Sequence, residues 1–597
     1  MVKKRKLGIS FVDELAEVTA HSGHFRPQKE KEWKDVLLPN FQPLFEKPTN
    51  TWGVTILFCV SVISFFAISL RLFHLQIVKG SENRQLAEGN RIQIKKIHAP
   101  RGVIYDRNGK ILAQNRPGFR LVDAEKSRYI GRDEALKLEV LGNPRLANLE
   151  IDNVRDYPYR QITAHVLGYI SEITGEELKK KQFSDYQIGD RIGRSGVEET
   201  YEKSLRGIDG GEVIEVDSVG RMVRTLRTVN PIPGKSLTLS LDLDLQKVVF
   251  TKLQEAINKS GSCCGAVVVE EPGTGAILSL VSYPSFNPDD VYIYLDAPNS
   301  PMLNRVLAGL YPPGSVFKIV SSLAGLSSGK VTATTQFEDT GVISLGSFTF
   351  ANWYFTQYGK TEGLVDLVKA LQRSNDIYFY RLGQVVEEKA LGDAAKKLGF
   401  GQDKDIDIPG AIPGVIPDSV WKSRQIGEIW FPGDTLHMVI GQGFVTVTPL
   451  EVSRLISTVA VGEEFTPHLN LKIQSEGKQV GFKKEHLDLV KKGLEEVPKF
   501  GGTAWPFFSF PIPTSGKTGT AEFGDPRNRT HAWYASYAPV DDPKIAAVVL
   551  IEAGGEGSTN ASPVAKEIFR WFFSPDKSNL IKDTYFEATA AAKILGE

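Results

Sequence analysis

The chain has 597 residues, several times the length of an ordinary domain of about 100 to 200 residues, so more than one folded part is expected. Its 71 Lys and Arg residues equal its 71 Asp and Glu residues, and this zero net charge argues against nucleic acid as a partner of the whole molecule. The three cysteines are Cys59, Cys263 and Cys264. Adjacent residues hold their Cα atoms about 3.8 Å apart, below the usual range for a disulfide, so no bond is expected between the last two.

Residues 52–70, WGVTILFCVSVISFFAISL, carry no charge and are long enough to cross the hydrocarbon core of a bilayer as a helix. The pattern predicts a single transmembrane anchor. A buried core helix would normally keep a polar stripe, and a cleaved signal peptide would not follow about fifty residues of chain. Basic residues flank the segment on both sides, and only the cluster at 3–6 favours an N-terminus inside the cell.

The rest of the chain divides by its local pattern. Residues 1–51 mix both charges with proline and predict a flexible cytoplasmic tail. Residues 71–233 show short alternating strands and turn signals, with a hairpin turn predicted at Asp106–Gly109, and indicate an elongated β-rich module. A larger α/β domain is predicted at 234–575, followed by a C-terminal tail at 576–597.

The predicted α/β domain is an antiparallel sheet flanked by helices. A strand at 236–243 is followed by a helical pattern at 243–257, and the turn at 272–275 favours antiparallel pairing of the strands on either side of it. A final helix after Ser562 is expected to bury Val564, Ile568 and Phe572. The remaining predicted strands are 264–270, 276–283, 514–523, 531–539 and 544–552. The fold class is therefore multidomain α+β.

Ser315 and Lys318, in YPPGSVFKIV, are three residues apart and share one face at the start of a predicted helix. A desolvated lysine can take the proton of a serine hydroxyl, which is a poor nucleophile on its own. The spacing alone is weak evidence, because solvated surface pairs repeat it: Ser327/Lys330, Ser419/Lys422, Ser475/Lys478 and Ser574/Lys577. The turn at 312–314 and the apolar helix that follows indicate that only the first pair is buried and pre-positioned.

Two further motifs follow along the chain. Residues 374–376, Ser-Asn-Asp, come after an apolar helical stretch, and residues 517–520, Lys-Thr-Gly-Thr, lie on a predicted strand. Alone, the first would be a helix cap or turn and the second would carry an exposed lysine. In this order after Ser-x-x-Lys, they match the three-part motif of penicillin-binding proteins and serine β-lactamases.

From the membrane helix to about residue 572, the sequence resembles the monofunctional class B penicillin-binding proteins. The resemblance is carried by segments 101–115, 192–207, 265–288 and 441–450, and HAWYASYAP at 531–539 is most similar to the elongation-type penicillin-binding protein 2. It implies a pedestal (dimerisation-like) domain at 71–233, with a short head at about 116–150, and a serine β-lactamase-like transpeptidase domain at 234–575. No glycosyltransferase domain is expected in residues 1–233.

The same resemblance implies a peptidoglycan D,D-transpeptidase acting on stem peptides that end in D-Ala-D-Ala. Ser315 would attack the penultimate carbonyl and form an acyl-enzyme, with Lys318 as the base. Ser374 would relay a proton to the leaving amine. The backbone N–H groups of Ser315 and Thr520 would form the oxyanion hole.

The remaining implied contacts are with the substrate. Lys517, with Thr518 and Thr520, would hold the terminal carboxylate through charge-assisted hydrogen bonds, on a strand segment that includes Gly519. Asp376 stands where the common family pattern has Asn. A carboxylate there reverses the sense of the hydrogen bond to the substrate amides unless it is protonated.

Because D-Ala-D-Ala stems exist outside the cytoplasmic membrane, the implied protein is a single-pass bacterial membrane protein with its catalytic domain extracytoplasmic. The implied partners are β-lactams as covalent inhibitors and a multispanning lipid-II glycosyltransferase of the shape, elongation, division and sporulation family. No cofactor is expected, and no metal, because residues 337–374 lack a Cys, His and Asp cluster with ligand spacing. A division-type transpeptidase, a β-lactam hydrolase and a weakly catalytic β-lactam receptor or scaffold remain as alternatives.

Overall fold

The computed structural model describes residues 51–122, 127–130, 132–141, 149–217, 222–402, 406–575 and 577. The described residues divide into two compact units, one within Met1–Gln93 and Glu215–Met222 and the other within Ile94–Ile214 and Val223–Glu597. Apart from Thr51 and Lys577, the predicted flexible tail at 1–51 and the predicted C-terminal tail at 576–597 lie outside the described residues.

The first unit contains a long apolar helix, α1 (Thr51–Phe73), which continues through a π-helical turn at His74–Val78 and is followed by α2 (Gly80–Arg91). The 27 residues Trp52–Val78 are long and apolar enough to cross a membrane, and none of this span is buried by protein. Such an apolar surface is unfavourable in water. The predicted anchor is therefore present as a helix, extended at its C-terminal end to Val78.

Short strands and helices form the segment between residues 92 and 238. The strands are β1 (Ile92–Ile97), β2 (Ile104–Tyr105), β3 (Ile111–Val122), β4 (Ser127–Ile130), β5 (Leu149–Asp156), β6 (Ile170–Glu172), β7 (Arg191–Gly193), β8 (Gly210–Val216), β9 (Met222–Val229) and β10 (Leu237–Thr238). The helices are α3 (Arg132–Val140), α4 (Ala164–Leu167), α5 (Gly196–Thr200) and α6 (Glu202–Leu205). The strand orders are β1-β8-β9, β6-β7 and β10-β2-β3-β4, with β5 also paired to β3.

The predicted hairpin at Asp106–Gly109 is confirmed. Gly109 N donates to Asp106 O at 3.1 Å, with Gly109 in the left-handed region, and β2 pairs with β3 across this turn. Buried residues of this segment, such as Ile104 and Leu112, belong to the same hydrophobic cluster as Leu243 of the following domain. The β-rich segment and the α/β domain therefore share one continuous core.

The α/β domain alternates helices with strands of a central sheet. Its strands are β11 (Gly265–Glu271), β12 (Ala276–Tyr283), β13 (Phe337–Asp339), β14 (Val342–Leu345), β15 (Phe348–Ala351), β16 (Gly363–Val365), β17 (Glu463–Glu464), β18 (Lys478–Gln479), β19 (Ser515–Glu522), β20 (Thr530–Ala538) and β21 (Ile545–Ile551). Its helices are α7 (Leu243–Ser260), α8 (Arg305–Ala308), α9 (Lys318–Ser327), α10 (Trp353–Tyr358), α11 (Leu367–Arg373), α12 (Asp376–Val385), α13 (Glu388–Lys397), α14 (Ser419–Gln425), α15 (Pro432–Val439), α16 (Pro449–Val461), α17 (Lys484–Glu496) and α18 (Ser562–Phe573).

The central sheet has the order β12-β11-β21-β20-β19, and its neighbouring strands are antiparallel as predicted. Helices α7 and α18 pack on one face through residues such as Leu253 and Ile568, while α9 and α16 contribute to the cluster on the other face. Strand β19 forms one edge of the sheet. An edge strand keeps backbone N–H and C=O groups free to pair with another chain.

Two predicted elements differ in extent. Only Leu237–Thr238 of the predicted strand at 236–243 is a strand, because Asp242 caps helix α7 by accepting from Asp244 N and Leu245 N at 3.0 and 3.1 Å. The final helix was predicted to follow Ser562 as its cap, but it begins at Ser562 and its N-cap is Ala561, because a π-helical turn at Gly557–Ala561 leads into it. Its predicted inner face is correct for Val564 and Ile568, whereas Phe572 is only half-buried.

The expectation for the adjacent cysteines was wrong. Cys263 and Cys264 form a disulfide although their Cα atoms are only 3.7 Å apart. Both lie in the bend that precedes β11, where successive side chains need not point to opposite faces as they do in a strand. The usual Cα distance range therefore does not exclude a bond between neighbours in irregular backbone.

Candidate active site

Ser315 lies in a 3₁₀ turn, Gly314–Phe317, that leads directly into helix α9. Gly314 is in the left-handed region, and a Cβ there would lie 3.0 Å from Thr520 O. A Cβ at Gly519 would lie 3.0 Å from Pro313 O. Glycine on both sides of this contact lets the turn that carries Ser315 approach edge strand β19 closely.

Lys318 is fully buried and its amine is turned to the middle motif. Lys318 Nζ donates to Ser374 O at 2.7 Å, to Ser374 Oγ at 3.3 Å and to Asp376 Oδ1 at 2.6 Å. Within the described part of the chain, no hydrogen bond joins this amine to the hydroxyl of Ser315. Ser315 and Lys318 thus lie on one helical turn as predicted. The Lys318 amine is hydrogen-bonded instead to residues about sixty positions later in the sequence.

The middle motif joins two helices. Ser374 is the C-cap of α11 in the left-handed conformation, with φ of 54°, and Asn375 is the N-cap of α12, accepting from Tyr378 N at 2.9 Å. The helix-cap interpretation of this motif is therefore confirmed, and its functional role remains a prediction. The sharp junction directs Ser374 Oγ towards the two buried lysines, because Lys517 Nζ also donates to it, at 2.9 Å.

The third motif lies on β19. Lys517 is fully buried, and besides Ser374 its amine donates to Thr518 O at 3.0 Å. Thr518 is buried and shares a 2.7 Å hydrogen bond with Thr503, whereas Thr520 is exposed on the edge strand. The structure therefore brings Lys318, Ser374 and Lys517 into one hydrogen-bonded cluster beside the turn of Ser315.

The cluster places two buried amines around one carboxylate. Burial lowers the pKa of Lys318, and the carboxylate of Asp376 opposes this change. Burial lowers the pKa of Lys517 well below its usual value, and the neighbouring amine of Lys318 lowers it further. A second buried ammonium ion is costly when no carboxylate is left to balance its charge. The resting cluster therefore favours a charged Lys318 paired with Asp376 and a neutral Lys517.

The comparisons with known proteins identify the family of the chain. The model of the penicillin binding protein transpeptidase domain matches residues 265–570, and the model of the penicillin-binding protein dimerisation domain matches 96–143 and 139–239. The chain belongs to the penicillin-binding protein transpeptidases.

Similar proteins cover most of this transpeptidase. The peptidoglycan D,D-transpeptidase MrdA of Escherichia coli strain K12 is 30% identical over 570 residues, covering 81% of this chain and 88% of the relative. The structure of PBP2 from Pseudomonas aeruginosa is 31% identical with a TM-score of 0.64, and covers 81% of this chain and 97% of that one. The structure of PBP2 in a complex with MreC from Helicobacter pylori is 26% identical with a TM-score of 0.70, and the match covers 81% of this chain and 98% of that one.

Asp376 contacts groups that the sequence analysis did not foresee. Its Oδ1 pairs with Lys318 and its Oδ2 accepts from Trp353 N at 3.1 Å, leaving the side chain 14% exposed. The only local signal was the carboxylate at the position where the transpeptidase family commonly has an amide. Trp353 and Thr503 were missed altogether, because only the tertiary fold brings them to the motifs.

The other Ser-x-x-Lys pairs do not form such a cluster in the described residues. Ser327 and Lys330 are exposed, as are Lys478 and Lys577. The surface interpretation was wrong for one lysine, since Lys422 is 3% exposed and donates to Asp434 at 2.7 Å. Its partner in the pattern, Ser419, is exposed.

Among the residues that the structure describes, two groups of possible metal ligands lie outside residues 337–374. They are Cys263, Cys264 and Glu552, and His98, Asp190 and Asp209. The sulfurs of the first group are bonded to each other, and its carboxylate accepts from Arg305 and Tyr311 at 2.7 Å each. In the second group Lys96 pairs with both aspartates, at 2.5 and 2.9 Å. Protein partners thus already satisfy both groups, and the absence of a metal remains a prediction.

Proposed function

We propose that this protein is a serine-type peptidoglycan D,D-transpeptidase that forms its acyl-enzyme on Ser315. The observation that carries the proposal is the hydroxyl of Ser374, hydrogen-bonded to the amines of both Lys318 and Lys517 beside the turn of Ser315. Acyl transfer needs a nucleophile, a desolvated amine and a hydroxyl relay, and here the amine and the relay lie in one buried cluster beside the turn that carries the nucleophile.

In the proposed acylation, Ser315 Oγ attacks the carbonyl carbon of the penultimate D-Ala while its proton passes to a neutral Lys318. The tetrahedral oxyanion accepts hydrogen bonds from the backbone N–H groups of Ser315 and Thr520, and losing one such donor costs about 10²- to 10³-fold in rate. The C–N bond then breaks, and the departing D-Ala amine receives a proton through Ser374. An amine of a neighbouring stem attacks the acyl-enzyme in the reverse sequence and restores Ser315.

The substrate itself prepares the base in this mechanism. The terminal carboxylate of the stem, bound beside Lys517, favours the charged form of that lysine. Ser374 Oγ is hydrogen-bonded to both amines. It can therefore accept a proton from Lys318 while its own proton passes to Lys517. The total number of protons in the cluster is unchanged. Lys318 becomes neutral only when the carboxylate is in place.

The proposal extends to the membrane and to partners. The helix Trp52–Val78 would anchor the protein with its N-terminus inside and its catalytic domain outside a bacterial cytoplasmic membrane, where D-Ala-D-Ala stems are found. Similarity to MrdA and PBP2 supports an elongation role rather than a division role. One similar structure, 28% identical, comes from a peptidoglycan synthase complex that coordinates polymerisation with cross-linking, and it supports a multispanning lipid-II glycosyltransferase as the partner.

Intact-mass spectrometry after incubation with benzylpenicillin tests the proposal. The wild-type protein and the matched control Ser327→Ala are expected to gain one persistent adduct, and Ser315→Ala none. A folded wild-type protein without an adduct would contradict the proposal. An adduct that is hydrolysed within minutes, with steady turnover of nitrocefin, would favour the β-lactam hydrolase instead.

A further inference from the structure

Asp339 is a buried carboxylate behind the middle motif, 3% exposed at the end of strand β13. Its Oδ1 accepts from Gly341 N at 2.8 Å. Its Oδ2 accepts from the side-chain amides of Asn352 and Asn375, at 2.9 and 2.8 Å, and from Glu362 N at 3.1 Å. All four donors are neutral. The carboxylate therefore gathers hydrogen bonds from four separate segments of chain.

The two asparagines use both ends of their amides. Asn375 donates to Asp339 and accepts from Tyr378 N at 2.9 Å. Asn352 is fully buried, donates to Asp339 and accepts from Asp376 N at 3.2 Å. Each amide is thus oriented from two sides, because its oxygen meets a donor and its nitrogen meets the carboxylate.

These asparagines lie directly beside the reacting groups. The residue after Asn352 is Trp353, whose backbone N–H donates to Asp376 Oδ2 at 3.1 Å. The residue before Asn375 is Ser374, which holds a left-handed backbone that is unfavourable for a residue other than glycine. Such a conformation persists only where the surrounding structure fixes it. The hydrogen bonds around Asp339 are the contacts that fix both sides of this junction.

We propose that Asp339 is a positioning residue of the active site, holding Asn352 and Asn375 so that Ser374 and Asp376 present their side chains to Lys318. This inference rests on the proposed transpeptidase function. A purely structural carboxylate would affect folding alone, whereas a positioning residue also changes the protonation of the groups that it orients.

Asp339→Asn tests the inference, because an amide here cannot accept from both asparagine side chains and the backbone donors together. The expected loss in the second-order rate constant for acylation by benzylpenicillin is about 10²-fold, as for a misplacement of about 1 Å. The acid limb of the pH profile is expected to move to lower pH. The charged groups that face Lys318 are Asp376 on α12 and Lys517 on β19, and a displaced Asp376 no longer favours its ammonium form.

A second variant keeps the test open if Asp339→Asn does not fold. Asn352→Ser leaves Asp339 its other donors but removes the acceptor for Asp376 N, and about a 10-fold loss with the same direction of pH shift is expected. Asp242→Ala is the matched control, since it removes a helix-capping carboxylate of α7 and lowers thermal stability without moving the pH profile. A folded Asp339→Asn or Asn352→Ser protein with the wild-type rate and profile overturns the inference. Failure of the wild-type protein itself to acylate would instead contradict the proposed function.

Discussion

Replacing Asp376 by asparagine removes the carboxylate that lies 2.6 Å from the Lys318 amine and keeps the size of the side chain. The carboxylate favours the ammonium form of Lys318, against the effect of burial, so its loss lowers the pKa of Lys318 further. Removing one partner of a buried ion pair costs about 3 to 5 kcal/mol, because a buried charge is left without compensation. The acid limb of the pH profile for acylation should therefore move to lower pH.

The assay is the second-order rate constant for acylation by a fluorescent penicillin, measured from pH 5 to pH 10 on folded protein. In Asp376→Asn we expect the acid limb of the pH profile to lie at lower pH. We also expect a lower maximal rate constant, because the Lys318 amine loses one of the three acceptors that hold it in place. Asp434→Asn is the matched control, since it breaks the 2.7 Å ion pair of Lys422, which is not part of the buried cluster, and should leave the limb unmoved. A limb that stays in place or moves to higher pH in Asp376→Asn would refute the charged pair as the resting state of the site.

Three other outcomes are expected. Lys517→Ala should reduce acylation by about 10²-fold or more, measured by the same assay, because the terminal carboxylate loses its cation. Gly314→Ala should lower both the melting temperature and the acylation rate, since its backbone has φ of 53° and the new Cβ would lie 3.0 Å from Thr520 O. Burial raises the pKa of Glu270 from 4.5 to about 7, so the free energy of unfolding should fall by up to about 3 kcal/mol between those pH values and then level off. Urea unfolding of Glu270→Gln should show that this pH dependence is lost.

The parts of the fold that sequence predicts well are those set by local pattern. The antiparallel pair β11 and β12 follows from two apolar runs joined by a four-residue turn, and the hairpin at Asp106–Gly109 follows from its turn residues. The strands β20 and β21 have similarly clear apolar runs. The motif residues are also found locally, because each stands at the start of a helix, at a helix junction or on a strand.

The contacts that organise the site are long-range and leave little local trace. Lys318 meets Asp376 across 58 positions of sequence, and Lys517 meets Ser374 across 143. Asp339 looks like an ordinary polar strand end until the fold brings two asparagines to it. The buried Lys422 was missed for the same reason, since its partner Asp434 belongs to the next helix. Local spacing identifies which residues can react, whereas tertiary packing decides how they are held and charged.

The most direct test of the central claim is transpeptidation itself. The full chain in detergent is incubated with a synthetic stem pentapeptide ending in D-Ala-D-Ala and an excess of a D-amino acid as the acceptor amine, and the products are identified by mass spectrometry. With the wild-type protein we expect release of the terminal D-Ala and its replacement by the acceptor, and with Ser315→Ala we expect neither product. Hydrolysis without exchange, or exchange that survives in Ser315→Ala, would contradict the central claim.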